Sequence, residues 1–537
     1  MKTTGMLISF FALLFMAGCD NHSPENDPPP DDIGDIFRKD LYNDSTWALR
    51  IVDLETEEVL YDQKSDDRLF IGSVRKVFTM AEALEALGPE YTFRTPVYRQ
   101  GTVNSQGVLE GDLVLVAAGD FTMGGRRNAN DTMAITNFDH NEANILGNAE
   151  LTTPDILWGY DQLAEQVAAS GIKAIAGEII IDDRLFQPFN FRRQFNVRSI
   201  FVNDDVVDVT LQPANSGELA TVDYRPKSAA FTVDSNVLTV SAGVEEEIDL
   251  VPEFPTCFGQ TICSGSVIGR LPVDFVPPLT GAQPLIQTFR VARPENYART
   301  VFIEALERAG VSVVNAAPVA QNPVNFLPPE GAYTRDTLLA ELVSLPLSEY
   351  AKFVLKISYN IGADTSLVLW GLSEGVDNMA DALSQERDNL TQNIGIPGNE
   401  FEFFDGSGGG ETIATSTAVL KLLKHTREQS FFPEFLAALP ILGVDGSLAH
   451  STGFESDPTL AGAKGNAYAK TGTYATGNEN GILIKGRSMA GFVTTQSGRD
   501  LMFSVVVNNV QLGSNINELA VVADDQATIT AIIWRDY

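Results

Sequence analysis

A serine and a lysine three residues apart, Ser73-Val74-Arg75-Lys76, constrain this chain most, because the groups they would need as partners lie far along the sequence. Ser358-Tyr359-Asn360 and Lys470-Thr471-Gly472 follow in that order. From about residue 95 to 293 the pattern changes to short Val/Ile/Leu-rich strand candidates broken by Gly, Pro and Asn. If the three motifs serve one site, that block is an insertion, and the fold must bring its two flanks together. Taken singly, each motif has an ordinary meaning: a solvent-facing helix start, a helix N-cap, a hairpin turn. Their order and local settings carry the information.

Opening an amide takes a nucleophile, a base for its proton, and donors for the developing oxyanion. Val77, Phe78, Ala81, Leu84 and Leu87 recur at near-helical spacing behind Ser73. In a helix Ser73 and Lys76 share a face, so the amine reaches the hydroxyl, and backbone N–H groups at the helix start face outward. Lysine is a base only when neutral, so Lys76 must be lowered by burial and by a nearby cation, for which Lys470 is the expected source. Ser358 and Asn360 fall at a turn ahead of a helical run from Asp364 to Leu372, where a hydroxyl relays a proton and a carboxamide meets a substrate amide. Ala467 to Tyr474 precedes two strand-like runs, Met489–Thr495 and Leu501–Val507. It reads as an edge strand to which an extended peptide adds, with Lys470 and Thr471 on its terminal carboxylate and Gly472 allowing close approach.

These motifs, as S-x-x-K, S-x-N and K-T-G, resemble those of the D-Ala-D-Ala carboxypeptidase/endopeptidase family, the low-molecular-mass penicillin-binding proteins with a large insert in the catalytic domain. Further segments are similar to that family: Phe404-Asp405-Gly406-Ser407-Gly408, Gly443-Val444-Asp445-Gly446-Ser447-Leu448, Val116-Ala117-Ala118-Gly119-Asp120, and Gly171 through Phe186. The resemblance implies an α+β fold: a serine β-lactamase/DD-peptidase-like catalytic domain, an antiparallel sheet flanked by helices, with a β-rich insert of one or two small domains. It implies a serine-type D-alanyl-D-alanine carboxypeptidase that needs no cofactor or metal. Its partners would be peptidoglycan stem peptides and β-lactams, with Ser73 acylated. Backbone N–H groups of Ser73 and Thr473 would form the oxyanion hole. Asp182, in Ile181-Asp182-Asp183, would read the ammonium of a diamino acid side chain. Carboxypeptidase and endopeptidase action, diamino acid preference and oligomeric state stay open.

The chain departs from the pattern at Phe121 (for Pro), and at Tyr359 (for Asn or Asp), Asp364 (for Glu) and Gly409-Gly410 (for Leu-Ser), of which the last three are expected to tune the site wall. Two other readings have less support. Gly371-Leu372-Ser373-Glu374-Gly375 matches G-x-S-x-G but ends a helical run rather than a strand. A β-lactamase-like hydrolase lacks an E-x-x-L-N segment here, and a non-hydrolytic penicillin-binding sensor or scaffold has no need of six intact site residues.

A length of 537 residues calls for two or three domains. A formal charge of −34 repels phosphate backbones, which argues against nucleic acid. Lys2 and the apolar run Met6 to Ala17 have the shape of a signal peptide, too short to span a bilayer. Met16-Ala17-Gly18-Cys19 resembles a lipobox, giving residues 1–18 as a lipoprotein signal, lipidation at Cys19, and a periplasmic protein held to a membrane by that anchor alone. A Pro-rich tether covers 19–40. Catalytic segments are expected at 41–95 and 294–537, with the insert at 96–293. Cys257 and Cys263 either pair in an oxidising compartment or stay as two thiols. Helical patterns are read at Thr152–Ser170, Asn296–Gly310, Leu338–Leu355 and the C-terminus, and a long loop over Phe121–Glu150.

Overall fold

The strands Thr46–Asp53 and Asp500–Gln511 are apolar almost without alternation, as strands covered on both faces must be. The computed structural model, which describes residues 31–513 and 518–537, places them in a five-stranded antiparallel sheet. Its order is Val59–Gln63, Thr46–Asp53, Asp500–Gln511, Gly481–Thr494, Ala467–Asn478. The Lys-Thr-Gly strand is therefore the edge. The C-terminal helix Glu518–Asp536 covers one face, burying Ile529, Ile532 and Ile533 with Leu49, Ile51 and Val505. On the other face Val77, Phe78 and Leu422 share a core with Phe492 and Met502. That core includes helix Lys76–Leu87 and helix Ser416–Arg427.

The insert has its own core, in which Leu113, Tyr160, Ile179, Val301 and Phe302 are wholly buried. Its main sheet runs Ser312–Val313, Ala174–Ile175, Val108–Val116, Thr92–Val103, Leu338–Pro346, with Ile179–Asp182 also paired to Val108–Val116. Two three-stranded sheets follow, centred on Val206–Gln212 and Ser264–Pro272. Cys257 and Cys263 are bridged, with Cα atoms 5.2 Å apart.

Four expectations are corrected. The catalytic segment does not resume at residue 294. Helix Pro294–Arg308 packs in the insert's core, and Leu338–Pro346 pairs with Thr92–Val103, so the chain returns at Leu347. The helix read over Leu338–Leu355 is half strand. Pro346 lacks the N–H that would continue a helix inward, so it stands at the junction and helix Leu347–Lys356 starts after it. Residues 31–40 of the expected 19–40 tether are not one, because helix Asp31–Phe37 buries Ile33 and Ile36 against the C-terminal helix. Within the supposed loop 121–150 lie two helical turns, His140–Glu142 and Ala143–Leu146. Cys19 and the leader lie outside the described residues.

Candidate active site

Ser73 sits in a 3-10 turn, Gly72–Arg75, that leads straight into helix Lys76–Leu87. Lys76 is wholly buried, and its Nζ donates to Ser73 Oγ (2.8 Å), Asn360 Oδ1 (2.8 Å) and the Ser407 carbonyl (2.7 Å). Burial, then the positive charge of Arg192, lowers its pKa to about 7, against the opposing pull of Asp364, Asp405 and Glu142. An amine in that range is half neutral near neutrality, as a general base requires. Arg192, from the insert, is thus a cation beside Lys76 in addition to the expected Lys470. Lys470 is itself pushed well below its usual range by burial, then by Lys76 and Arg487. A substrate carboxylate arriving beside Lys470 would reverse that, so binding an acidic peptide end draws a proton onto this amine.

Glycines let separate pieces of main chain close on the serine. A Cβ on Gly472 would stand 2.1 Å from the Ile71 carbonyl oxygen and 2.9 Å from the Ser73 nitrogen, and one on Gly72 would stand 2.9 Å from the Thr473 nitrogen. Thus the backbone amides of Ser73 and Thr473 are brought side by side, across the edge strand from each other. The Asp405-Gly406-Ser407-Gly408 loop closes the floor. Asp405 Oδ1 accepts from the N–H groups of Ser407 (3.0 Å), Gly408 (2.6 Å) and Gly409 (3.0 Å), which turns the Ser407 carbonyl onto Lys76. Asp364 lies under this floor, and burial followed by repulsion from Asp405 raises its pKa to about 8.

Ser358 links helices Leu347–Lys356 and Asn360–Ser373, its backbone left-handed (φ 67°). Its Oγ accepts from Lys470 Nζ at 3.0 Å. Asn360 is shared: Oδ1 takes Lys76, and Nδ2 donates to Glu142 Oε1 at 2.7 Å. Thr471 Oγ1 meets Ser447 Oγ at 2.7 Å. Ser447 comes from the Val444-Asp445-Gly446 turn, anchored by Lys356 Nζ on Asp445 (2.6 Å). Arg487, on the neighbouring strand, donates to Thr473 Oγ1. Ser73, Lys76, Ser358, Asn360, Lys470, Thr471, Gly472 and Thr473 therefore converge on one end of the edge strand.

The profile of the D-Ala-D-Ala carboxypeptidase 3 (S13) family matches residues 32–526. The chain belongs to that family. Within it, the chain is 26% identical over 499 residues to a D-alanyl-D-alanine carboxypeptidase of Actinomadura sp. (strain R39), covering 89% of this chain and 80% of the relative. It is 21% identical over 508 residues to the D-alanyl-D-alanine carboxypeptidase DacB of Haemophilus influenzae, covering 90% and 89% of the two. The crystal structure of penicillin binding protein 4 (dacB) from H. influenzae shares the fold, with a TM-score of 0.68 at 19% identity over 94% of this chain and 99% of that one.

Beside the shared S13 motifs, two expectations fail. The Asp182 carboxylate is not free to meet a substrate ammonium. It is buried at a strand end, and its carboxylate accepts from Arg184 Nε (2.8 Å), Arg184 Nη2 (2.7 Å) and Tyr333 Oη (2.6 Å). Burial works against its charge, but those donors more than offset it and hold its pKa below the usual range, so it is already neutralised inside the insert. Tyr359 does not line the site wall either. It is buried with its ring 4.6 Å from Phe353 and 5.8 Å from Phe121.

The insert's charged groups that reach the S13 site are Glu142 and Arg192. Arg192 and Arg193 are the two central residues of the turn joining Phe189–Phe191 to Phe195–Val197, both left-handed (φ 47° and 64°). Nothing in the sequence marks Glu142, Arg192 or Arg487 for the site, since each is brought there by tertiary folding, whereas Ser447 lies in a segment similar to the family's. The Gly-Val-Asp-Gly-Ser segment was the nearest signal.

A buried ion network lies inside the insert and touches the catalytic body through Arg126. Arg126 donates to Asp139 (2.7 and 2.9 Å) and Asp204 (2.6 Å), with its guanidinium 4.0 Å from the Phe353 ring centre. His140 bridges Asp208 (2.7 Å) and Asp204 (3.0 Å). Burial opposes its charge, but Asp208 and Asp139 more than offset this and raise its pKa to about 9. The carboxylates of Asp139 and Asp204 are thus satisfied by a guanidinium and an imidazolium.

Proposed function

We propose that this chain is a serine-type D-alanyl-D-alanine carboxypeptidase, trimming peptidoglycan stem peptides through an acyl-enzyme on Ser73. One observation carries the reading: a buried lysine with its Nζ 2.8 Å from a serine hydroxyl and its pKa lowered to about 7. Ser73 Oγ attacks the D-Ala-D-Ala carbonyl as Lys76 takes its proton. The N–H groups of Ser73 and Thr473 receive the oxyanion. Ser358 passes a proton to the leaving amine, while Lys470, Thr471, Thr473 and Arg487 hold the terminal carboxylate. Asn360 holds the acyl side, and water then releases the shortened peptide.

The same serine is the expected target of β-lactams. The fold is shared with an H. influenzae penicillin binding protein 4 crystallised with a novel β-lactam. A periplasmic location with a lipid on Cys19 follows from the leader sequence, and no helix among the described residues is long and apolar enough to cross a membrane.

A fluorescent penicillin should label the wild type at Ser73 and leave Ser73→Ala unlabelled. Labelling that persists in Ser73→Ala, or maps to Ser373, would sink the assignment. Digestion of cross-linked and uncross-linked muropeptides, weighed by mass spectrometry, separates carboxypeptidase from endopeptidase action. Labelling without any digestion would favour the sensor reading.

A further inference from the structure

Glu142 belongs to the insert, yet it ends a chain of three hydrogen bonds that begins at the nucleophile. Lys76 Nζ donates to Ser73 Oγ (2.8 Å) and to Asn360 Oδ1 (2.8 Å), and Asn360 Nδ2 donates to Glu142 Oε1 (2.7 Å). Charged or neutral, the Lys76 amine has an N–H to donate to the amide oxygen, and a carboxylate can only accept, so the two partners together fix which way round the Asn360 amide lies. With its oxygen on Lys76 and one N–H on Glu142, the second N–H is the only donor Asn360 has left for a substrate carbonyl. Without Glu142 the amide would keep its bond to Lys76 but lose its second anchor.

The turn that carries Glu142 is braced more heavily than a surface carboxylate needs. Its cap, Asp139, accepts from the Asn141 N–H (3.1 Å) and is clamped by Arg126. His140 is fixed between Asp204 and Asp208, and Arg290 donates to the Asn141 side chain (3.2 Å) and to its carbonyl. The two residues before Glu142 are buried and held on several sides. Asp204 and Asp208 come from the insert, while Phe353, under Arg126, comes from the catalytic body.

We propose that Glu142 is a positioning residue supplied by the insert: it locks the Asn360 carboxamide so that one N–H stays aimed at the acyl side of the bound peptide. The inference rests on Ser73 being the nucleophile. Glu142 also adds negative charge near Lys76, which is faced in addition by Arg192, Asp364, Asp405 and, across the site, Lys470. Negative charge favours the protonated amine. Removing it releases the base at lower pH, so the acid limb of the acylation profile moves down.

The test measures the second-order rate of acylation by a fluorescent penicillin across pH 5–9, on the full chain. Five forms are compared: wild type, Glu142→Ala, Glu142→Gln, Asn360→Ala, and Glu142→Ala in the Asn360→Ala background. Glu142→Ala should slow acylation roughly ten- to a hundredfold, the scale of a lost charge-assisted hydrogen bond. Glu142→Gln, which keeps an acceptor but not the charge, should retain more of the rate while its acid limb shifts to lower pH. In the Asn360→Ala background the same Glu142 change should cost less than about twofold, because the group it positions is gone. A wild type that is not labelled at Ser73 would overturn the proposed function and this inference with it. With normal wild-type labelling, three results overturn the positioning role alone: an unslowed Glu142→Ala, an equal loss in the Asn360→Ala background, or an unmoved limb in Glu142→Gln.

Discussion

The catalytic body and the insert bring groups to the same site by opposite means. The body works with main chain. Gly72, Gly406, Gly408 and Gly472 let backbone strands pass at distances where any Cβ would collide, and the reacting groups hang from that framework. The insert works with charge: Glu142 is held by a buried cluster of Arg126, His140 and three aspartates, and Arg192 by a turn whose two central residues are strained arginines. A backbone framework tolerates no added atom but is indifferent to pH. An ion cluster tolerates small shifts in shape but depends on every proton in it. The comparison teaches where each half of the site is vulnerable.

The sharpest way to break the comparison is at the two buried lysines. Lys76→Arg should abolish acylation, a loss of at least about a thousandfold, since a guanidinium does not give up its proton here. Lys470→Arg should retain part, because a fixed cation still binds a carboxylate. Equal losses in penicillin labelling would show that the two roles are not divided in this way. Next in size is Arg126→Ala, which leaves Asp139 and Asp204 buried without their main cation. It should cost about 3–5 kcal/mol in denaturant unfolding, and a near-neutral result would remove the cluster as the brace of the turn that carries Glu142. Gly472→Ala should lower acylation roughly a hundredfold, the scale of one displaced oxyanion donor, and should also lower the unfolding midpoint, since its Cβ would stand 2.1 Å from the Ile71 carbonyl oxygen. Unfolding losses without a rate loss would reverse the contrast between the regions.

A smaller effect is expected from pH. His140 has its folded pKa raised to about 9 from the usual 6.5. Its contribution to stability is therefore fully present below pH 6.5 and lost as pH rises through 9. Thermal unfolding at pH 6 and pH 10 should show a drop that His140→Gln flattens. The smallest effect concerns selectivity. Asp182→Asn should leave the ratio of rates on peptides with free and acetylated side-chain amines unchanged, since that carboxylate is already spent on Arg184 and Tyr333. A selective loss on the free amine would return Asp182 to the substrate.

What the sequence made legible was local. Ser73 and Lys76 are one turn apart on any helix, and Lys470-Thr471-Gly472 precedes two strands that force it to an edge. The family segments around Asp405 and Asp445 could be recognised without knowing what they touched. The illegible part was long-range. Leu338–Leu355 has helical spacing in apolar residues, and only pairing with Thr92–Val103 makes its first half a strand. Phe121 and Tyr359 looked like two separate departures from the family pattern. They are one, since the two rings pack together with Phe353 in the core. Asp182 was misread because a strand-end carboxylate in sequence shows nothing of the arginine two residues on that folds back over it.

The edge strand carries a consequence for how molecules of this protein meet one another. Its first residues are already capped: the Leu442 N–H donates to the Ala467 carbonyl (3.0 Å) and the Ala469 N–H to that of Pro440 (2.9 Å). A row of unpaired amides invites any extended chain, including a second copy, to zip along its length. Here the zip is stopped at Ala469, one residue before Lys470. An incoming strand must therefore begin at the lysine, and a guest with no acidic end to offer meets a buried amine and a blocked continuation. The same short cap that sets the starting register for a peptide also protects the protein from sticking to itself.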